Sequence, residues 1–103
     1  MKLSILLAAV AAPLLCPSAH ASLALAQKNN CLACHGVDHK IVGPAYQDIA
    51  KRYAGQADAQ AKLVASIKAG GAGKWGAIPM PAQAQLADAD AQALATWILG
   101  GAK

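Results

Sequence analysis

An all-α fold in one small domain follows from three observations on the 103-residue chain. Apolar residues recur at spacings of three and four through the segments after the N-terminal leader. No apolar/polar alternation is long enough to argue for a sheet, and glycines and prolines cut the text into helix-length pieces. Neither an internal repeat nor a second domain is visible.

The N-terminus is read apart from the fold. Lys2 gives a positive start, Leu3 to Leu15 an apolar run, and Pro17-Ser18-Ala19-His20-Ala21 the small-x-small ending that signal peptidase recognises. Residues 1–21 are therefore predicted as a cleaved signal peptide and residues 22–103 as the folded domain. The apolar run is shorter than the roughly 20 residues that span a bilayer, and no second such run follows, so no stable membrane insertion is expected. A retained anchor is the alternative. Lipid attachment at Cys16 is disfavoured because Leu15, rather than a small residue, precedes it.

Four helices are predicted after the leader. The first runs from Leu23 to Ala33, turns Leu23, Leu25 and Ala26 inward, delivers Cys31 and Cys34 at its end and stops at Gly36. The second opens at Gly43-Pro44, with proline in its first turn, carries Tyr46, Ile49, Ala50 and Tyr53 on one stripe, and ends at Gly55. Asp58 is the expected N-cap of the third, which bears Leu63, Val64 and Ile67 and runs out at Gly70-Gly71. Gly70 to Gln85 lacks helical periodicity and is read as an extended loop; so long a loop in so small a domain argues for a function. Asp88 or Asp90 then caps a fourth helix through Leu94, Trp97, Ile98 and Leu99, closed by Gly100-Gly101.

Removing the leader leaves 82 residues, near the size at which a hydrophobic core barely suffices. That stretch has 21 Ala but only 15 Leu, Ile and Val together, and no Phe, so something besides bulky side chains has to fill the centre. Its eight basic residues exceed its five Asp by three and are scattered, at Lys28, Lys40, Lys51, Arg52, Lys62, Lys68, Lys74 and Lys103. Without a dense basic stripe and interleaved aromatics, nucleic-acid binding is not expected. A solvated surface, or a loose basic ring steering the chain onto an acidic partner, accounts for the charge.

One pentapeptide carries chemistry. Cys31-x-x-Cys34-His35 is the attachment signature of c-type haem, in which two thiols bond to the porphyrin vinyl groups and the adjacent imidazole binds iron. A covalently held porphyrin is also a large apolar body, which answers the shortage of core. Three other readings compete. A thioredoxin-like dithiol would follow a strand, and none precedes Cys31. A zinc site from Cys31, Cys34, His35 and His39 would crowd four ligands into nine residues, where structural zinc joins ligand pairs across a longer loop. A Cys31–Cys34 disulfide would close too small a loop to restrain much chain.

With His35 on one face of the iron, the other coordination site decides between electron carriage and ligand chemistry. Met80 is the only methionine outside the leader and sits between two prolines, Pro79 and Pro81, that limit its backbone freedom. Core filler is the ordinary role of a methionine. His39, four residues after His35, cannot readily reach the opposite face and is read as a surface residue. Ligation by His35 and Met80 closes the iron to substrates and predicts an electron carrier rather than an enzyme. A haem-based sensor or peroxidase-like enzyme, with Met80 displaceable, is the alternative.

Taken with Val42-Gly43-Pro44-Ala45-Tyr46, Trp75-Gly76-Ala77-Ile78-Pro79-Met80-Pro81 and Leu94-Ala95-Thr96-Trp97-Ile98-Leu99, the pentapeptide resembles the small bacterial class I cytochromes c, most nearly the cytochrome c-551 group. The resemblance covers nearly all of residues 22–103. It implies a compact class I cytochrome c fold, four to five helices around one covalently bound haem, in a monomeric periplasmic protein. It implies further that the Pro44 carbonyl accepts the second ring proton of His35, that the Trp75 indole donates to a haem propionate, and that Gln83 tunes the iron near the axial sulfur. Trp97 and Tyr46 are assigned to packing. Partners implied are periplasmic redox proteins: a quinol-oxidising complex as donor, and a nitrite reductase, peroxidase or terminal oxidase as acceptor. Docking is expected at the haem edge with Lys28, Lys40 and Lys74 on the rim. Three departures stand out: Ala26 replaces a frequent Phe, Ser66 replaces an arginine of some members, and Ala77 and Ala82 replace prolines.

Overall fold

The computed structural model describes residues 19–103 together with Ala8 and Ala9; the rest of the predicted leader lies outside the described residues. The described elements are all helical: α1 Ala19–Lys28, a single 3-10 turn Cys31–Ala33, α2 Tyr46–Tyr53, α3 Ala59–Ala69 and α4 Asp88–Leu99. Helix α1 thus begins three residues before the expected cleavage point after Ala21.

The predicted first helix, Leu23 to Ala33, is not continuous. It ends at Lys28, where the Asn29 amide turns back to donate to the Leu25 carbonyl (2.9 Å) and Asn30 takes the left-handed conformation, φ 59°. Asparagine competes for helical carbonyls and tolerates positive φ, so the pair breaks the helix five residues early. The cysteines then lie on their own 3-10 turn, and Gly36 stops nothing. It is buried, and its carbonyl accepts from the Tyr46 amide at 2.9 Å.

Pro44 likewise stands just outside α2, with Ala45 as the N-cap; Asp48 in the first turn and Lys51 and Arg52 in the last complement the helix dipole. Ala45, rather than Pro44, fills the cap because Pro44 is committed to the loop that orients His35. Asp58 holds the N-cap position of α3 as predicted but makes no side-chain cap; its carboxylate faces Lys62 at 3.4 Å. In α4 neither predicted aspartate is the cap. Ala87 is, while Asp88 and Asp90 occupy the first turn, where negative charge is favoured, and Asp88 pairs with Lys68 of α3.

Helix α4 is the hub, packing against α1, α2 and α3. Its Ala91, Leu94, Ala95, Trp97 and Ile98 are buried, with Leu94 2% exposed. Ala26 is completely buried in α1, so the small side chain sets a close helix approach instead of leaving a loose contact. Ile49 and Tyr53 from α2 and Leu63 and Ile67 from α3 complete a thin core beside an open cleft.

Candidate functional site

The cleft has a volume of about 590 Å³ and is lined by all seven residues singled out from the sequence: Cys31, Cys34, His35, Pro44, Trp75, Met80 and Gln83. Two segments between helices furnish them, the Cys31–Pro44 segment and the loop from Gly70 onward, while α2, α3 and α4 add apolar side chains such as Ile49, Leu63 and Leu94.

His35 is held from several directions. The Cys34 carbonyl accepts from the amides of both Val42 (3.1 Å) and Gly43 (2.7 Å), which closes the segment into a tight loop and brings Pro44 alongside the ring. His35 Nδ1–H then donates to the Pro44 carbonyl at 2.8 Å, the tautomer that leaves the Nε2 lone pair free for a metal. Tyr46 stacks on the imidazole, centroids 5.2 Å apart and planes inclined by 16°, and Trp97 meets Tyr46 edge-on at 5.4 Å. Gly43 is required here: a Cβ on it would lie 2.6 Å from His35 Cε1.

Cys31 and Cys34 are free, half-buried thiols. Burial pushes the Cys31 thiol up, against a smaller lowering by Tyr46, and burial also raises the Tyr46 hydroxyl. The two thiols lie on and just after a 3-10 turn that follows α1, not at the start of a helix after a strand, where a thioredoxin-like dithiol sits. The zinc reading fails on placement: among the described residues no three His, Cys, Asp or Glu side chains gather to hold a metal, and His39 turns outward to Asp38 at 2.9 Å.

Met80 is fixed by a device that its flanking prolines did not reveal. Its amide donates to the Gly71 carbonyl (2.8 Å) and its carbonyl accepts from the Gly71 amide (3.0 Å), clasping the base of the loop. Gly70, φ 67°, permits this, since a Cβ there would collide with the Met80 carbonyl and lie 2.7 Å from the Ala82 nitrogen. The Gln83 amide nitrogen of the backbone anchors the returning chain on the Ile67 carbonyl at 3.1 Å, and its side chain donates to the Pro81 carbonyl at 3.3 Å.

Trp75 lines the cleft and is 38% exposed. The Arg52 guanidinium covers its ring at 4.3 Å and donates to the Lys74 carbonyl at 2.5 Å. Lys74, expected on an outer rim, folds back so that its ammonium donates to Tyr53 Oη at 3.2 Å. Sequence reasoning missed this cluster. Arg52 counted as scattered charge and Tyr53 as helix stripe, although two of the four aromatic residues each adjoin a basic one, in Arg52-Tyr53 and Lys74-Trp75.

A histidine with a free Nε2, two thiols beside it, a methionine lining the same cleft and apolar side chains around them together fit haem c. The Cytochrome c family model matches residues 22–102. The chain belongs to the cytochrome c family. It is 57% identical to cytochrome c-551 of Allochromatium vinosum over 82% of this chain and 89% of that protein, and 53% identical to cytochrome c-552 of Nitrosomonas europaea over 88% of each. The crystal structure of Nitrosomonas europaea cytochrome c552 superposes with a TM-score of 0.75 at 54% identity, covering 77% of this chain and 98% of that one. A class 1 cytochrome, MtoD of Sideroxydans lithotrophicus, does so at 0.67 and 31% identity, covering 82% and 96%. Membership in this cytochrome c family brings one covalently attached haem c, for which Cys31 and Cys34 are the spaced thiols, and makes the protein a small monohaem cytochrome of the electron-carrier type rather than an enzyme.

Proposed function

We propose that this cytochrome is a periplasmic shuttle for single electrons in which His35 and Met80 are the two axial ligands of the iron. The observation that carries the reading is the His35 Nδ1–Pro44 hydrogen bond at 2.8 Å, which presents Nε2 into the same cleft that Met80 lines. Bound there, haem c supplies a one-electron iron couple whose ferrous state is favoured by thioether ligation. The Pro44 carbonyl keeps the imidazole in one tautomer and raises its basicity. Tyr46 and Gly43 hold the ring's plane, and the Gly71 clasp keeps the Met80 sulfur from wandering, so little has to rearrange when the charge changes.

Residues 1–21 act in this reading as an export leader that is removed, giving a domain of residues 22–103. No helix among the described residues is long and apolar enough to cross a membrane. Pro44, Trp75 and Gln83 complete the haem contacts. The partners are larger redox proteins, with a quinol-oxidising complex upstream and a nitrite reductase, peroxidase or terminal oxidase downstream. They dock where exposed Val42 and Ile78 flank the cleft, steered by Lys28 and Lys40.

The test is to purify the processed protein from cells able to attach haem, weigh it and titrate it. A mass equal to residues 22–103 plus one haem, with a single one-electron wave, is expected. A mass of bare polypeptide, or rapid cyanide binding to the ferric protein, contradicts the carrier reading.

A further inference from the structure

Haem is apolar over most of its surface but carries two carboxylate arms, on the edge opposite the vinyl groups that bond to cysteine. A cleft that takes it needs a cation at the end away from Cys31 and Cys34. Ser66, which lines the cleft on α3, is neutral. Among the described residues, the charged side chains on the lining are Lys40 and Lys74, with no carboxylate among them. Lys40 belongs to the cysteine-bearing segment, and its backbone pairs with that of His35, which places it at the wrong end.

Lys74 has the required setting. The residue is exposed and free to extend into water, yet its ammonium turns back over the Tyr53 ring, 5.9 Å from the centroid, to reach Tyr53 Oη. Its backbone is held by Arg52, which donates to the Lys74 carbonyl and stacks on Trp75. Consecutive residues of α2, Arg52 and Tyr53, thus seize consecutive residues of the loop, Lys74 and Trp75. The other titratable groups among the described lining residues are His35, Tyr46, Tyr53 and the two thiols, none of them a carboxylate.

Resting on the haem reading above, we propose that Lys74, seated by Tyr53 and positioned by Arg52, is the binding cation for a carboxylate of the cofactor, supplying the charge that Ser66 lacks. A nearby cation disfavours the more positive ferric state and keeps the carboxylate ionised. The test is the reduction potential of the haem-loaded protein as a function of pH. Lys74→Met should lower the potential and move its pH-dependent step to higher pH. Lys74→Arg should restore both, and Lys103→Met, which removes equal charge away from the cleft, should leave the step in place. An unshifted step in haem-loaded Lys74→Met, or an equal shift in Lys103→Met, overturns the proposal while leaving the carrier reading intact. Wild-type protein without covalent haem would overturn that reading and this one with it.

Discussion

The two segments that line the cleft are built differently. Between Cys31 and Pro44 the backbone is cross-tied: Cys34 accepts two amides, Gly36 accepts the Tyr46 amide, and Val37 accepts the Gln47 amide at 3.0 Å. The loop from Gly71 to Pro79 is exposed throughout and is held by the Gly71–Met80 clasp, a Gly73–Gly76 turn of 2.8 Å and Arg52. The histidine side is therefore preformed by the fold, whereas the methionine side is a strap fastened at a few points. In the proposed ligand set, the thiols and His35 would sit on the cross-tied side and Met80 on the strap.

Met80→Ala should remove the axial ligand that the strap is proposed to present. The potential should fall sharply within the range of several tenths of a volt over which axial ligands act, carbon monoxide should bind the reduced protein, and haem should stay covalently held. Spectroelectrochemistry checks this, and a native potential would remove Met80 from the site.

Gly43→Val attacks the preformed side. A side chain driven against His35 Cε1 must displace the ring from Pro44, so haem-loaded yield and stability should both drop, by about 1–3 kcal/mol for the overpacking alone. Gly70→Ala attacks the strap by placing a Cβ at φ 67° against the Met80 carbonyl. It should cost about 1–3 kcal/mol at most in backbone strain, and should weaken methionine ligation before it unfolds the chain. Urea titrations followed both by helix content and by haem absorbance distinguish the two. Coincident transitions for Gly43→Val and separated ones for Gly70→Ala are expected. Hydrogen exchange sharpens the contrast further: the Val42, Gly43 and Tyr46 amides should be protected, and those of Ala72 and Ala77 should exchange quickly.

The smallest effect lies at Asp38. The hydrogen bond from His39 holds its carboxyl below the usual carboxylate range. A depressed folded-state value contributes stability that is present above the ordinary carboxylate range and is lost as pH falls through it. Because the pair is largely exposed, Asp38→Asn should change acid-unfolding midpoints barely, and only at low salt.

Much of this was legible in the sequence because haem attachment is a local code. Cys31 and Cys34 in Cys-x-x-Cys-His mark the tether, and His35 and Met80, a lone methionine between prolines, are proposed as the ligands. Apolar spacing located α2, α3 and α4 within a few residues, since each buries one stripe against its neighbours. Legibility failed where side chains act on distant or competing backbone. Asn29 and Asn30 broke α1 by bonding a helical carbonyl, which apolar spacing does not record. The Gly71–Met80 clasp and the Arg52–Trp75 stack join residues brought together only by the fold. Ala87 took the cap of α4 because the preceding chain enters it in extended conformation, leaving Asp88 free to pair with Lys68.

The ferric optical spectrum of the processed, haem-loaded protein tests the central claim most directly. A methionine–iron charge-transfer band that is present in the wild type and vanishes in Met80→Ala is the expected result. A wild-type spectrum without that band would contradict an iron held between His35 and Met80.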